Sequence, residues 1–331
     1  PYKENFSPTY PGAVSLFINE TTILSKYKKN ITVYGSTNYK KKFNINYQNI
    51  NLEKKFIGSQ SKDYIEKFIF YEKKEQSDLI EIHNRPNYLK FIEKRLNKRN
   101  YTLFFHNDPL SMDGSKSILD RIYLLKTCFR IIFNSNWSKK RFLEGLDNKL
   151  VNSVKLLVFF QSAKKGNIKT ISKKKNWITF VGKLNKAKGY DIFCQAVVRV
   201  LNKNNNWRAK IVGDEKREKI KINHKNVDLL GFQEHSKVLK IFKESSVAVV
   251  CSRWEEPFGR TSLEAAANGC AVIISNKGGL PETITDAIIL KKLNSAELEK
   301  NINILIKNRK RRTGYQKKSI KNFYLTHKYV S

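Results

Sequence analysis

Along the chain, short apolar runs alternate with longer stretches in which apolar positions recur every three to four residues. The short runs are rich in β-branched and aromatic residues, as buried strands are, and the longer stretches have the period of amphipathic helices. Before residue 160 the strand-like runs are 31–34, 79–82, 102–105, 129–133 and 156–159, with helical stretches at 13–26, 88–98 and 137–146. After residue 175 the runs are 177–181, 209–212, 227–230, 247–251 and 271–274, with helices at 191–201 and 261–268. Such alternation predicts parallel α/β units. Between the halves, residues 161–175 lose the apolar pattern to Lys, Gly and Ser. The expected fold class is therefore α/β, with two Rossmann-like parallel-sheet domains facing a cleft. The expected divisions are 1–160, a linker at 161–175, a second domain at 176–310, and a helix at 311–331 able to cross back to the first.

Ligands of open parallel sheets sit at the carboxyl ends of the strands, and the polar features gather there. His83 to Pro86 (His-Asn-Arg-Pro) follows one run, and His106 to Pro109 (His-Asn-Asp-Pro) follows the next. A single histidine at a strand end is more often structural, but two at successive strand ends make a candidate site. In the second half, Gly182 ends a strand, and Lys183 and Lys188 flank the loop before the next helix. Two ammonium groups on a strand-to-helix loop suit a diphosphate. Solvated surface is the competing reading for any lysine pair in so basic a chain.

The most informative segment is 253–269, Arg-Trp-Glu-Glu-Pro-Phe-Gly-Arg-Thr-Ser-Leu-Glu-Ala-Ala-Ala-Asn-Gly. Pro257 blocks a helix from extending back through Glu256. Gly259 permits a close backbone approach. The helix beginning near Thr261 then offers free N–H groups to an anion, and Gly269 is placed to end it. Glu256 and Glu264 put two carboxylates in this segment, able to accept hydrogen bonds from paired hydroxyls. Read singly, they are a loop charge and a first-turn helix acid.

Composition narrows the classes. The 331 residues suffice for two ordinary cores, and 40% hydrophobic content excludes a disordered chain. Four scattered cysteines, Cys128, Cys194, Cys251 and Cys270, with no C-x-x-C, exclude a disulfide scaffold and fit a reducing compartment. No apolar run reaches the ~18–20 residues of a spanning helix. The chain begins at Pro1, which predicts trimmed termini. The formal net charge is +35, from 64 basic and 29 acidic residues. The excess is spread along the chain rather than held in one arm, so it fits a solvated surface as well as a polyanionic partner. A nucleic-acid binder would be expected to carry a zinc module or an aromatic recognition box, and neither is present.

From Gly182 to Gly269 the motifs, Gly-Lys-Leu-x-x-x-Lys-Gly, a strand ending Gly213-Asp214, Gly231-Phe232 and Glu-Pro-Phe-Gly with Glu264 in Leu-Glu-Ala, resemble those of glycosyltransferase family 4. The likeness is strong over 176–285 and looser before it. Its Glu-x7-Glu arrangement around Pro-Phe-Gly is specific, whereas Gly-Lys-Leu alone is not. The resemblance implies a GT-B fold and a retaining transfer from a nucleotide-diphosphate sugar. Glu256 would then hold hydroxyls of the transferred sugar, Glu264 the ribose hydroxyls, and Lys183 and Lys188 the diphosphate. The backbone around Phe258, Gly259, Arg260 and Thr261 would face sugar and phosphate, and Gly231 and Phe232 would lie near the base. The family commonly has Arg where Lys183 stands, which keeps the charge and loses the bidentate fork. Pro8 to Ala13 resembles the family's glycine loop, with Gly12 present and Ala13 in place of a second glycine.

By the same resemblance, His106 would stand beside the transferring sugar, so His106, Glu256 and Lys188 are the catalytic candidates. His83 and Arg85 resemble positions in lipopolysaccharide-core and surface-glycan enzymes and would meet the acceptor. The donor would be UDP-, GDP- or ADP-linked and bound without a metal, and no other cofactor is expected. Partners would be the nucleotide sugar, a glycan or glycolipid acceptor and an anionic membrane surface, with no nucleic acid. The location would be cytoplasmic, peripheral on the inner face of the membrane. A basic nucleic-acid-binding protein and a non-catalytic sugar-nucleotide scaffold are the alternatives.

Overall fold

The computed structural model describes residues 4–52, 59–96, 99–147, 149, 154–284 and 286–330. The chain divides into two compact units, residues 1–161 with 330–331, and residues 162–329.

The first unit contains α1 (Ala13–Leu24), β1 (Val33–Gly35), β2 (Tyr47–Asn49), α2 (Gln60–Glu75), β3 (Leu79–His83), α3 (Pro86–Glu93), β4 (Asn100–Phe105), α4 (Ile118–Thr127), β5 (Arg130–Phe133), α5 (Asn136–Leu143) and β6 (Leu156–Val158). Strands β3 to β6 form a parallel sheet in sequential order, and β1 pairs with β2 in a separate parallel ribbon. Leu103, Phe105, Ile131 and Phe133 of the central strands are almost wholly buried. Burying a side chain of this size contributes about 1.5–3 kcal/mol before entropy is counted. Helix α3 begins two residues before the expected position because Pro86 occupies its first turn, where a missing N–H costs nothing.

The second unit contains β7 (Lys175–Val181), α6 (Tyr190–Lys203), β8 (Arg208–Val212), β9 (Val227–Leu229), α7 (His235–Glu244), β10 (Ser245–Val250), α8 (Arg260–Ala267), β11 (Ala271–Ser275), β12 (Ala287–Leu290), α9 (Ser295–Lys307), α10 (Arg309–Lys321) and α11 (His327–Val330). All six strands are parallel, in the order β12-β11-β10-β7-β8-β9. Helix α6 buries Ile192, Phe193, Ala196, Val197, Val200 and Leu201, a single stripe at helical spacing, as its sequence predicts. All four cysteines are free and buried, and burial pushes the Cys251 thiol up to about 12.

Residues 162–174 run against the second unit. Ala163 N–H donates to the Leu325 carbonyl at 3.0 Å and Gly166 N–H to that of Ala267 at 2.8 Å. The lysines at 173–175, at the end of the expected linker, are partly structural. Lys174 Nζ donates to the Phe242 carbonyl at 2.8 Å, in the last turn of α7, and to the Asn268 carbonyl at 2.7 Å, just past the end of α8, and Lys175 opens β7. A lysine there offsets the partial negative charge of two helix C-termini.

Candidate functional site

Counted in chain order, the second sheet runs 6-5-4-1-2-3, the order of the dinucleotide-binding fold. Its topological switch point lies between β7 and β10, where ligands of such sheets bind. The two loops leaving these carboxyl ends carry Lys183, Lys188 and Glu256.

Backbone and side-chain bonds fasten the two loops together. In the first, Asn185 Oδ1 accepts from Lys188 N–H at 3.0 Å and shapes a tight turn over Lys186–Lys188. Gly189 follows at φ +71°, and a Cβ there would stand 1.9 Å from the Cys251 carbonyl oxygen. Only glycine lets this loop lie so close to the end of β10. The Ala187 carbonyl then accepts from the N–H groups of Arg253 and Trp254 at 2.9 and 3.0 Å. Arg253 also clamps Asp191 at 2.6 and 2.8 Å, and the hydrogen bond from this guanidinium holds the Asp191 carboxyl below the usual range. A third loop, after β11, braces the second: Gly279 N–H donates to the Glu256 carbonyl at 2.6 Å and Gly278 N–H to the Glu255 carboxylate at 2.6 Å.

This framework sets the Lys188 ammonium directly against the Glu256 carboxylate. Glu256 is 8% exposed. Lys183, in the same loop as Lys188, is exposed.

Four residues past the start of the next helix, Glu264 is 5% exposed. Its Oε1 accepts from Arg260 Nε at 2.7 Å and from His235 Nε2 at 2.8 Å, so the His235 proton is on Nε2. Burial alone would push this carboxyl up, but Arg260 and His235 outweigh it and the net direction is down. Gly259, at φ +112°, caps α8, and a Cβ there would meet the Leu280 side chain at 2.4 Å. The Phe258 ring is buried in the core, so this residue has only backbone to offer a ligand. Phe232 follows Gly231 after β9 and is 40% exposed.

In the first unit, β3 and β4 end on a histidine pair. His83 Nδ1 lies 3.0 Å from His106 Nε2. The His83 ring stacks on Phe104 at 4.5 Å, and Phe17 meets His106 edge-on at 5.0 Å. His106 is buried, and its Nδ1 has no hydrogen-bond partner among the described residues. Burial first, then His83, pulls the His106 pKa well below the usual value. Asn84, at φ +60°, ties the strand ends together, since its Oδ1 accepts from His106 and Asn107 N–H, each at 3.1 Å. Arg85 donates to the Asn84 carbonyl at 2.7 Å and is half-buried. Gly12 precedes α1 as expected, but the anion nearest it belongs to the chain. The Glu4 carboxylate accepts from Ser15 N–H at 2.9 Å, and a Cβ on Gly12 would strike it at 2.0 Å.

Sequence reasoning missed His235, Asn185, Asn84 and Glu4. Asn185, three residues before Lys188, carries the one usable signal, that of a side-chain cap. His235 has none, for its partner lies 29 residues on. Among the described residues no group of three His, Cys, Asp or Glu side chains is placed to hold a metal ion.

Two Rossmann-like units, the second with dinucleotide-fold strand order and an ammonium-carboxylate pair at its switch point, define a doubly wound α/β class. Residues 161–322 match the family model for glycosyl transferases group 1. An uncharacterised 41.2 kDa protein in the cps region of Klebsiella pneumoniae is 29% identical over 231 residues, 65% of this chain and 63% of that protein. The chain thus spans less than two thirds of that relative. Spore coat protein SA of Bacillus subtilis is 24% identical over 306 residues, 83% of this chain and 79% of its own. The crystal structure of Anabaena Alr3699/HepE in complex with UDP and glucose is similar with a TM-score of 0.77 at 17% identity, covering 99% of this chain and 95% of that one. Over residues 161–322 the protein is thus similar to the group 1 glycosyltransferases, and its fold is GT-B.

Proposed function

We propose that this protein moves a sugar from a nucleoside-diphosphate sugar to a glycan or lipid-linked glycan acceptor, with retention of configuration, in lipopolysaccharide or surface-polysaccharide synthesis. The observation that carries the reading is the Lys188–Glu256 pair at the switch point of the second unit. One member suits a departing diphosphate and the other a sugar hydroxyl. The Klebsiella relative from a cps region supports a surface-glycan product, and the Anabaena neighbour with bound UDP and glucose supports testing UDP-sugars first.

In this reading the donor diphosphate meets Lys188, Lys183 and the N-terminus of α8 at Arg260. Charge that grows on the leaving phosphate is stabilised by groups already in place. Glu256 orients the sugar through its hydroxyls. Glu264, fixed on Oε1 by Arg260 and His235, presents its carboxylate to the ribose, and Phe232 lies near the base. In the first unit His106, kept neutral, supports the sugar as a hydrogen-bonding group and not as a cation. His83 and Arg85 receive the acceptor. The bond from the anomeric carbon to phosphate breaks as the acceptor oxygen bonds on the same face, and the leaving phosphate oxygen takes the acceptor proton.

A thermal-shift screen of UDP-, GDP- and ADP-sugars tests the reading. One donor should raise the melting temperature, and adding surface-glycan acceptors should release its nucleoside diphosphate. Absence of stabilisation by every nucleotide sugar overturns the reading. Turnover should persist in a strong chelator, because lysines and helix N–H groups offset the diphosphate charge. Loss of turnover restored by Mg²⁺ or Mn²⁺ would remove that part of the reading.

A further inference from the structure

The +35 charge is spread along the sequence but is concentrated at one place in the second unit. Helix α10 (Arg309–Lys321) has seven basic residues in thirteen and no acidic one. Its inner side packs inward through Gln316, Ser319 and Ile320, and Gln316 Nε2 donates to the Ser246 carbonyl at 2.9 Å. Arg312 lies over the Trp207 ring at 5.1 Å and donates to the carbonyls of Leu305 and Ile306.

The outer side is different. Lys310, Lys317 and Lys321 fall on one helical row, with Arg311 and Lys318 on the next, and all five are exposed. At 1.5 Å per residue the stripe extends about 16 Å. None of the five joins an ion pair among the described residues, whereas Lys175, Lys203 and Lys210 in the same unit each meet a carboxylate. Gly314 interrupts the stripe where a Cβ would touch nothing within 4 Å. Packing therefore does not require this mid-helix glycine, which costs about 0.5–1 kcal/mol relative to Ala. Directly after the helix, Tyr324 and Tyr329 are exposed and meet edge-on at 5.4 Å. Tyrosines with an apolar ring and a polar tip are favoured at lipid headgroup depth.

We propose that this face of α10 is the surface by which the protein docks on an anionic lipid bilayer. The charge complementarity is direct: a straight row of unpaired cations meets a plane of phosphates. Single-stranded nucleic acid is the poorer fit, because no exposed aromatic lies between the cations to stack a base. The inference deepens the reading of a lipid-linked acceptor and rests on it only for its purpose. The docking itself is measured without donor or acceptor.

The test is co-sedimentation of the full chain with vesicles of phosphatidylcholine alone or mixed with phosphatidylglycerol. The protein should bind the anionic vesicles, spare the neutral ones, and be released as salt rises. Each basic residue near such a surface contributes about 1 kcal/mol, or roughly fivefold in partitioning. The variant K317Q/K318Q/K321Q should therefore partition about 100-fold less. A control, K26Q/K28Q/K29Q, removes the same charge from exposed lysines in the first unit and should be nearly unchanged. Equal losses in both variants would mean diffuse charge and overturn the proposal, as would no binding, or preferential capture by single-stranded RNA in competition with vesicles. Nucleotide-sugar stabilisation of the K317Q/K318Q/K321Q protein should match that of the parent. A failure of docking thus leaves the transferase reading standing, and a failure of donor binding leaves docking standing.

Discussion

The two units each place polar side chains at the carboxyl ends of parallel strands, but they handle charge in opposite ways. At the ends of β7 and β10 an ammonium meets a carboxylate, and nearby Glu264 is kept ionised by Arg260 and His235 against its own burial. At the ends of β3 and β4 two imidazoles meet, and burial together with each other's proximity keeps His106 neutral. Backbone explains how both are held. The charged site sits on loops sewn together by main-chain bonds to Ala187 and Glu256, while the neutral one is held by two buried amides, Asn84, which accepts from His106 and Asn107 N–H, and Asn134, which donates to the His106 carbonyl at 2.9 Å. A diphosphate needs fixed positive charge before it arrives, and a sugar needs hydrogen bonds without net charge. Under the proposed function, the charged pair suits a diphosphate and the neutral pair suits sugar hydroxyls.

The sharpest way to break this contrast is at Lys188. Lys188→Ala should lower kcat by about 10²–10³, the cost of deleting one preorganised stabiliser of developing charge. Its melting temperature should fall, because the substitution leaves the buried Glu256 carboxylate without its cation, but the protein should remain folded. Nucleoside diphosphate release measures the first and a thermal melt the second. Full turnover would remove Lys188 from the chemistry. Next in size is Glu264→Ala, which loses hydrogen bonds to a charged group worth about 1.5–3 kcal/mol. Calorimetry should find donor affinity down by roughly ten- to 100-fold, and unchanged affinity would end its ribose role.

How far these sites were legible beforehand depended on the range of the interaction. Helix α6 and the strands flanking it were readable because apolar spacing is local and their burial is complete. Strand β2 was not, because Tyr47, Gln48 and Asn49 are only half-buried and carry no apolar run. The residues of the Glu-Pro-Phe-Gly turn were readable because proline and glycine restrict the backbone in ways their names declare. What joins them was not. Lys188 and Glu256 are 68 residues apart, and His235 reaches Glu264 only once α7 and α8 have packed. Glu4, whose carboxylate meets the first turn of α1, was overlooked for the same reason, since the glycine-loop resemblance at Gly12 did not say that the chain supplies an anion itself.

The neutral side of the comparison can be tested through pH. His106 has a folded pKa below its ordinary value near 6.5. The unfolded chain therefore takes up a proton as pH falls below about 6.5, while the folded chain at first does not. Stability is fully present above that pH and declines as the pH is lowered through it, until the folded imidazole also titrates. For a single group the slope is at most about 1.4 kcal/mol per pH unit. His106→Gln keeps a polar side chain at the site and removes the titration. Denaturant melts of both proteins between neutral and mildly acidic pH should converge as the pH falls, because only the parent loses this contribution. The comparison is made as a difference at each pH, so repulsion among the many lysines, common to both proteins, cancels. If instead the parent and His106→Gln curves run parallel, His106 is not held neutral by its surroundings. The first unit would then hold a titratable cation at the ends of β3 and β4, and the contrast in charge between the two units would be lost.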